Sequence, residues 1–270
     1  MRRTQRGLRM STKLARIAEI AAERPNERFT SLAHHLNEAL LKECHQELSA
    51  GKAPGIDHIT KEDYAANLDA NVADLVDRLK RGAYQPQPVR RTYIPKPGSE
   101  KMRPLGIPAY EDKIVQLGLT KILSAIYEAD FLDCSYGFRP GLGCHDAIRQ
   151  LNFFVETRKV SYVVDADIVG FFDHVDHEWL MKFLLHRVVD PSIHRIVRRI
   201  LKAGCMEEEQ LYDTTEGTPQ GGIVSPLLAN VYLHYVLDLW FEKIVKRHCR
   251  GEAYMVRYAD DCAPRRRRAA

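Results

Sequence analysis

Residues 254–262 read YMVRYADDC. An apolar, aromatic run ends in two adjacent aspartates, Asp260 and Asp261, which is the pattern of a strand closing on a polar turn. A second run, VSYVVDADIVGFFD (160–173), places Asp165, Asp167 and Asp173 near another strand end. Either run alone also reads as a polar turn or a strand end. Together they bring three carboxylates to one sheet edge if the two strands are neighbours. Like charges at that spacing repel, and a hard divalent cation relieves them. Oxygen-only ligation suits Mg2+, and two such ions can clamp the attacking and leaving oxygens of an in-line phosphoryl transfer.

Outward from these runs, the 270 residues are enough for one large or two small cores, and 45% hydrophobic with 28% charged residues is an ordinary globular balance. The net charge of +4 is carried by Arg265–Arg268 alone, so the other basic and acidic residues balance and bulk charge is uninformative. Local charge says more. Between Arg78 and Arg103 lie eight basic residues (Arg78, Lys80, Arg81, Arg90, Arg91, Lys96, Lys101, Arg103) against one acid, Glu100. Arg195, Arg198, Arg199 and Lys202 form a second cluster at helical spacing. Each is compatible with a solvated face; the pair points towards phosphate binding. The six cysteines include no CxxC pair, which argues against a zinc site and reads as reduced thiols in a cytoplasmic protein. No apolar run is long enough to span a membrane. The basic N-terminus lacks the apolar stretch of a signal peptide, leaving an organellar presequence or a helix lying on RNA.

Periodicity predicts helices from Leu14 to before Pro25, from Ser31 to Leu48, around Val72–Leu79, at 111–128 (apolar nearly all round and therefore buried), and at about 144–156, 177–187, 191–203 and 225–247. VRRTYIPK and KMRPLGIP flank PGSE as a hairpin, VSYVVDAD reads as a buried strand, and AYMVRYAD as the last strand. Helices on a few non-sequential strands make an α+β fold.

Five stretches in order then carry a family resemblance: YIPKPGSEKMRPLGIP, SYGFRPGLGCHDAI, DIVGFFDHVDHEWL, EGTPQGGIVSPLLANVYLHYVLD and YADD. Over roughly residues 28–261 the chain resembles the reverse transcriptases encoded by bacterial group II introns, which also act as maturases; FTSLAHHLNEALLKECHQEL and GKAPGID resemble their N-terminal extension. The resemblance implies an N-terminal helical extension (1–76), reverse-transcriptase fingers and palm (77–263), and an arginine-rich tail (264–270). It implies that Asp167, Asp260 and Asp261 are the catalytic, metal-holding triad with two Mg2+ ions. Strand alternation does not separate Asp165 from Asp167, which share a face; the motif selects Asp167. Lys96 and Arg103 would grip the incoming triphosphate. Phe172 would block a ribose 2′-hydroxyl, or else is a core phenylalanine beside Phe171. Gln220, with Gly221–Gly222, would line the nucleotide path. Tyr258 would lie near the primer end, and His174–His177 (HVDH) is structural. The implied partners are intron RNA template, DNA primer and deoxynucleoside triphosphates, with no membrane.

The ending departs from the family. A return strand is expected after YADD, yet Pro264 lacks a ladder N–H and four arginines offer no buried face. This predicts a chain cut short just after the motif, its thumb missing, the aspartates on a frayed end and polymerisation impaired. A non-enzymatic intron-RNA-binding splicing cofactor and an inert pseudogene product are the alternatives.

Overall fold

The computed structural model describes residues 12–95, 100, 102–158, 160–218 and 221–266, with backbone only for 263–266. Helix α1 (Thr12–Glu23) buries Leu14, Ile17 and Ala21. Helix α2 is Glu38–Glu47, not the longer helix predicted from Ser31. Asn37 is its N-cap, its side chain accepting from Leu40 N at 3.1 Å, and residues 33–35 form a separate 3-10 turn. An asparagine cap supplies the acceptor that orphan helix amides need, so it wins over the apolar stripe that runs through it. Then follow α3 (Lys61–Ala65), α4 (Leu68–Lys80), strands β1 (Val89–Pro95) and β2 (Met102–Ile107), and α5 (Tyr110–Tyr127). Next come α6 (Cys144–Thr157), β3 (Tyr162–Val163), α7 (His177–Leu184), α8 (Pro191–Leu201), and the short hairpin β4 (Cys205–Glu207) and β5 (Gln210–Tyr212). Helix α9 (Ser225–Leu233) continues through π-helical turns at His234–Asp238 and Phe241–Val245; β6 (Ala253–Tyr258) and β7 (Asp261–Arg266) close the described chain.

The chain divides into two compact units. Unit one is Met1–Pro25, Ser124–Phe171 and Pro226–Ala270; unit two is Asn26–Leu123 and Phe172–Ser225. Unit two holds a four-stranded sheet, order β2-β1-β4-β5, with β1 and β2 antiparallel and β1 and β4 parallel. Its core is set by α5, which is buried along its length as its composition predicts; Ile114, Val115, Leu119, Ile122 and Leu123 are fully buried. Each such side chain contributes about 1.5–3 kcal/mol. Gly118 lets α5 approach α2 and the residues before it: a Cβ there would meet Leu36 Cδ2 at 2.9 Å and Leu41 Cδ2 at 3.4 Å. Lys121, 1% exposed, is neutralised by Glu43 and Glu47 of α2.

Unit one holds a three-stranded sheet, order β3-β7-β6, with α6 laid on β6. Two predictions fail here. The return strand predicted to be absent is β7, paired with β6 from Tyr258↔Asp261 to Ala253↔Arg266 and with β3 on its other side. The proline is accommodated by alternation. Cys262 exchanges both backbone hydrogen bonds with Ala166, each 2.9 Å, so the N position two residues on, at Pro264, also faces β3. The missing donor falls on that side, and there the ladder breaks between Val163 and Ala166. Second, VSYVVDAD is no buried strand. Only Tyr162–Val163 is in β3, and Tyr162, Val163 and Val164 are each about half exposed. β-Branching made the run strand-like, but it lies at the sheet edge, where burial does not follow from propensity.

Candidate active site: a carboxylate turn over a buried arginine

In unit one the β6–β7 connection is the shortest a hairpin permits, Ala259 and Asp260 between the paired Tyr258 and Asp261. Ala259 has φ +57° and Asp260 does not share a positive φ, the pattern of a type II′ turn, in which glycine is the usual first central residue. The register of β3 and β7, continued through Ala166↔Cys262, sets Asp167 directly opposite Asp261 on one face of the sheet. Ala166 and Cys262 exchange both backbone hydrogen bonds, and one residue further on the side chains of Asp167 and Asp261 are themselves hydrogen-bonded. Burial, then the charges of Asp260, Asp167 and Asp165, push the Asp261 carboxyl above the ordinary carboxylate range, and a hydrogen bond with Asp167 adds to the effect. Asp165 and Asp167 are exposed and Asp260 is half-buried.

Among the described residues no three His, Cys, Asp or Glu side chains stand as a ready metal ligand set. The donor chemistry nevertheless fits a hard cation: carboxylate oxygens alone, mutually repelling, with Asp261 already holding its proton more tightly than usual.

Beneath the turn lies Arg257, fully buried, which the sequence reading passed over. Its Nε and Nη2 grip Asp238, also fully buried, at 2.8 and 2.7 Å. Nη2 also donates to Ser135 Oγ at 2.7 Å, and Nη1 to Asn230 Oδ1 at 3.0 Å and to the Ala259 carbonyl at 2.9 Å. All five donors of the guanidinium are used. The SYGFRP stretch closes the other side. Arg257 N donates to Cys134 O at 2.7 Å, Tyr136 N donates to Arg257 O at 2.9 Å, and Asn230 Nδ2 donates to Gly137 O at 2.7 Å. Gly137 lies so close that a Cβ there would meet Ala259 N at 2.3 Å. One signal for this hub was visible: an arginine in mid-strand at a position whose neighbours are apolar.

The other predicted residues lie in unit two or outside the described residues. Arg103 is exposed on β2, opposite Ile94 of β1. Phe172 is half-buried in the 3-10 turn Phe171–Asp173. Its carbonyl accepts from Thr218 N at 2.7 Å, and Gly217 (φ +83°) packs on that carbonyl, where a Cβ would come within 2.8 Å. His177 bonds the Gly217 carbonyl through Nε2 at 2.6 Å, so this histidine of HVDH ties two loops together. Phe172, Arg91, Gly106, Gly217 and Thr218 line a cavity of about 140 Å3. Lys96 and Gln220 lie outside the described residues; Gly221, next to Gln220, abuts the Gly106 carbonyl of β2. Tyr258 is exposed beside the carboxylates. A cavity of about 700 Å3 in unit one is lined by residues such as Asp133, Arg139, Phe154 and Tyr254 and by none of the four aspartates.

Residues 94–263 match the family model described as reverse transcriptase (RNA-dependent DNA polymerase). The chain is 39% identical over 231 residues to the group II intron-encoded protein LtrA of Lactococcus lactis subsp. cremoris, which covers 84% of this chain and 38% of that protein. It is 39% identical over 205 residues to protein YkfC of Escherichia coli (strain K12), covering 74% of this chain and 53% of that one. It thus spans well under two thirds of these relatives. In fold it resembles a chain of a partial Cas6-RT-Cas1–Cas2 complex, with TM-score 0.50 and 22% identity over 87% of this chain and 38% of the other.

Proposed function

The chain belongs to the reverse transcriptase family, among its group II intron-encoded members, and from that premise we propose that it carries the polymerising centre of an RNA-directed DNA polymerase. The substrates are deoxynucleoside triphosphates, added to a DNA primer on an intron RNA template. Asp167, Asp260 and Asp261 hold two Mg2+ ions. When bound, these supply the positive charge that offsets the attacking and leaving oxygens of an in-line transfer. The observation that carries the reading is the pairing register, which supports Asp167 and Asp261 as cross-strand neighbours with Asp260 in the adjoining turn. The protein's own part is positioning. The β6–β7 hairpin with its two-residue turn holds Asp260 and Asp261, and the Ala166–Cys262 bridge brings Asp167 to them, where small displacements cost rate. By resemblance, Phe172 excludes a 2′-hydroxyl, and Arg103 with Lys96 and Gln220 receives the nucleotide.

The test is primer extension on an RNA template with Mg2+, comparing the parent with Asp260→Asn. Extension by the parent that is lost in the variant, with RNA binding intact, supports the reading; a variant as active as the parent sinks it. A second reading, RNA binding without polymerisation, is favoured by one observation. Arg195 and Arg198 are exposed along α8 and Lys202 at its C-cap, whereas Arg199 is held by the Gly82 and Tyr84 carbonyls. Intron RNA binding that weakens steeply with salt, in a chain with no extension activity, would select it.

A further inference from the structure

We infer that Arg257 sets the orientation of the Ala259–Asp260 peptide and thereby the direction in which Asp260 carries its carboxylate; the inference rests on the site proposed above. Paired turn types differ chiefly by a flip of the central peptide, and this flip decides which way its carbonyl points. Here that carbonyl belongs to Ala259, and Arg257 Nη1 donates to it at 2.9 Å from a fully buried position. A flipped peptide would leave the guanidinium one acceptor short in a site without water to replace it. The guanidinium cannot follow the carbonyl, because Asp238, Ser135 and Asn230 hold its remaining donors.

Gly137 closes the arrangement from the other side. It abuts Ala259 N, and its own carbonyl is bonded by the same Asn230 that accepts from Arg257. The stretch holding Ser135 and Gly137, more than 120 residues from the turn, and Asn230, 27 residues before Arg257, therefore meet the turn through one side chain. The pair with Asp238 answers the charge, and the donor that remains goes to the turn carbonyl, so the contact that completes the hydrogen bonding of Arg257 is also the one that fixes the peptide. Arg257 is a positioning residue, not a catalytic one.

The test uses the 270-residue chain, with Mn2+ as the probe and free Mn2+ read by electron paramagnetic resonance. A parallel sample carries 13C at alanine carbonyls and 15N at aspartate amides, which selects the four Ala–Asp peptides of the chain (73–74, 129–130, 166–167 and 259–260); the Ala259–Asp260 signal is the one lost in Ala259→Gly. Arg257→Lys keeps a charge for Asp238 but loses the fork. It is expected to move the Ala259–Asp260 signal and to weaken Mn2+ binding about 10-fold, as loss of supporting contacts around a metal site does, with near-ultraviolet dichroism unchanged. If Arg257→Lys does not fold, Asn230→Ala takes its place, with the same shift in direction and a smaller loss of affinity. A folded variant of either kind with parental signal and parental Mn2+ affinity overturns the inference. Asp260→Asn separates the two failures. Unchanged Mn2+ binding in that variant brings down the metal reading of the site and this inference with it. Weakened binding there, with parental binding in Arg257→Lys, brings down the inference alone.

Discussion

A fully buried arginine is tolerable only when its charge and all its donors are met, and Arg257 meets that condition through Asp238, Ser135, Asn230 and the Ala259 carbonyl. Removing one partner is therefore costly. Arg257→Met strands the Asp238 carboxylate and is expected to destabilise by about 3–5 kcal/mol in urea unfolding. Gly137 is constrained by space instead of charge. Gly137→Ala drives a methyl to 2.3 Å from Ala259 N, an overpacking cost on the order of 1–3 kcal/mol. Its loss in extension should exceed what the fall in stability explains. At Phe172, a smaller side chain tests the proposed sugar gate. Phe172→Val should raise ribonucleotide over deoxynucleotide incorporation, and an unchanged ratio would leave Phe172 a packing residue.

At the scale of elements, β7 carries the most consequence. It is the central strand of its sheet, and Pro264 sits in it at a position whose N faces β3. Replacing Pro264 by valine supplies an N–H opposite Val164 and is expected to stabilise the sheet by about 1 kcal/mol, seen as slower hydrogen exchange across 162–166. Helix α5 and strand β6 were legible because their patterns are long and their faces agree with their burial. Strand β7 was not. Proline is depleted in strands and an arginine run offers no apolar face, and only the register of both neighbours shows that the missing donor does no harm to the β6 ladder. Strands β4 and β5 were missed for another reason: each has three residues, too few for alternation to register. The carboxylates themselves could be read from the sequence. Their support could not, since Ser135, Asn230 and Asp238 lie on separate elements and no local pattern joins them to Arg257.

For the molecule as a whole, two buried titratable groups give the units opposite responses to pH. In unit two, burial raises the Asp112 carboxyl to about 6, despite bonds from Tyr84 OH and Gln87 N that act the other way. A raised carboxyl stabilises the fold below its unfolded value near 4, and that stability is lost as pH rises through about 6. In unit one, burial lowers His234 to about 4. A depressed imidazole leaves the fold stable above about 6.5, and that stability is lost as pH falls through about 4. Each effect is on the order of 3 kcal/mol at full extent. The two tryptophans divide between the units, Trp179 in unit two and Trp240 in unit one. Single-tryptophan variants (Trp240→Phe and Trp179→Phe) should therefore report unfolding midpoints that move in opposite directions between pH 4 and 6.5. Asp112→Asn should flatten the first trend and leave the second.

The two-residue turn also has a consequence for insertions and deletions. Side chains alternate along β7, so Asp261 meets Asp167 only while the count from Tyr258 keeps its parity. One codon added between 259 and 261 must be absorbed as a bulge or else turn Asp261 to the far face; two added codons leave the faces as they are. Tolerance at this loop should thus follow odd and even insertion length instead of insertion size, with the longer change the milder one.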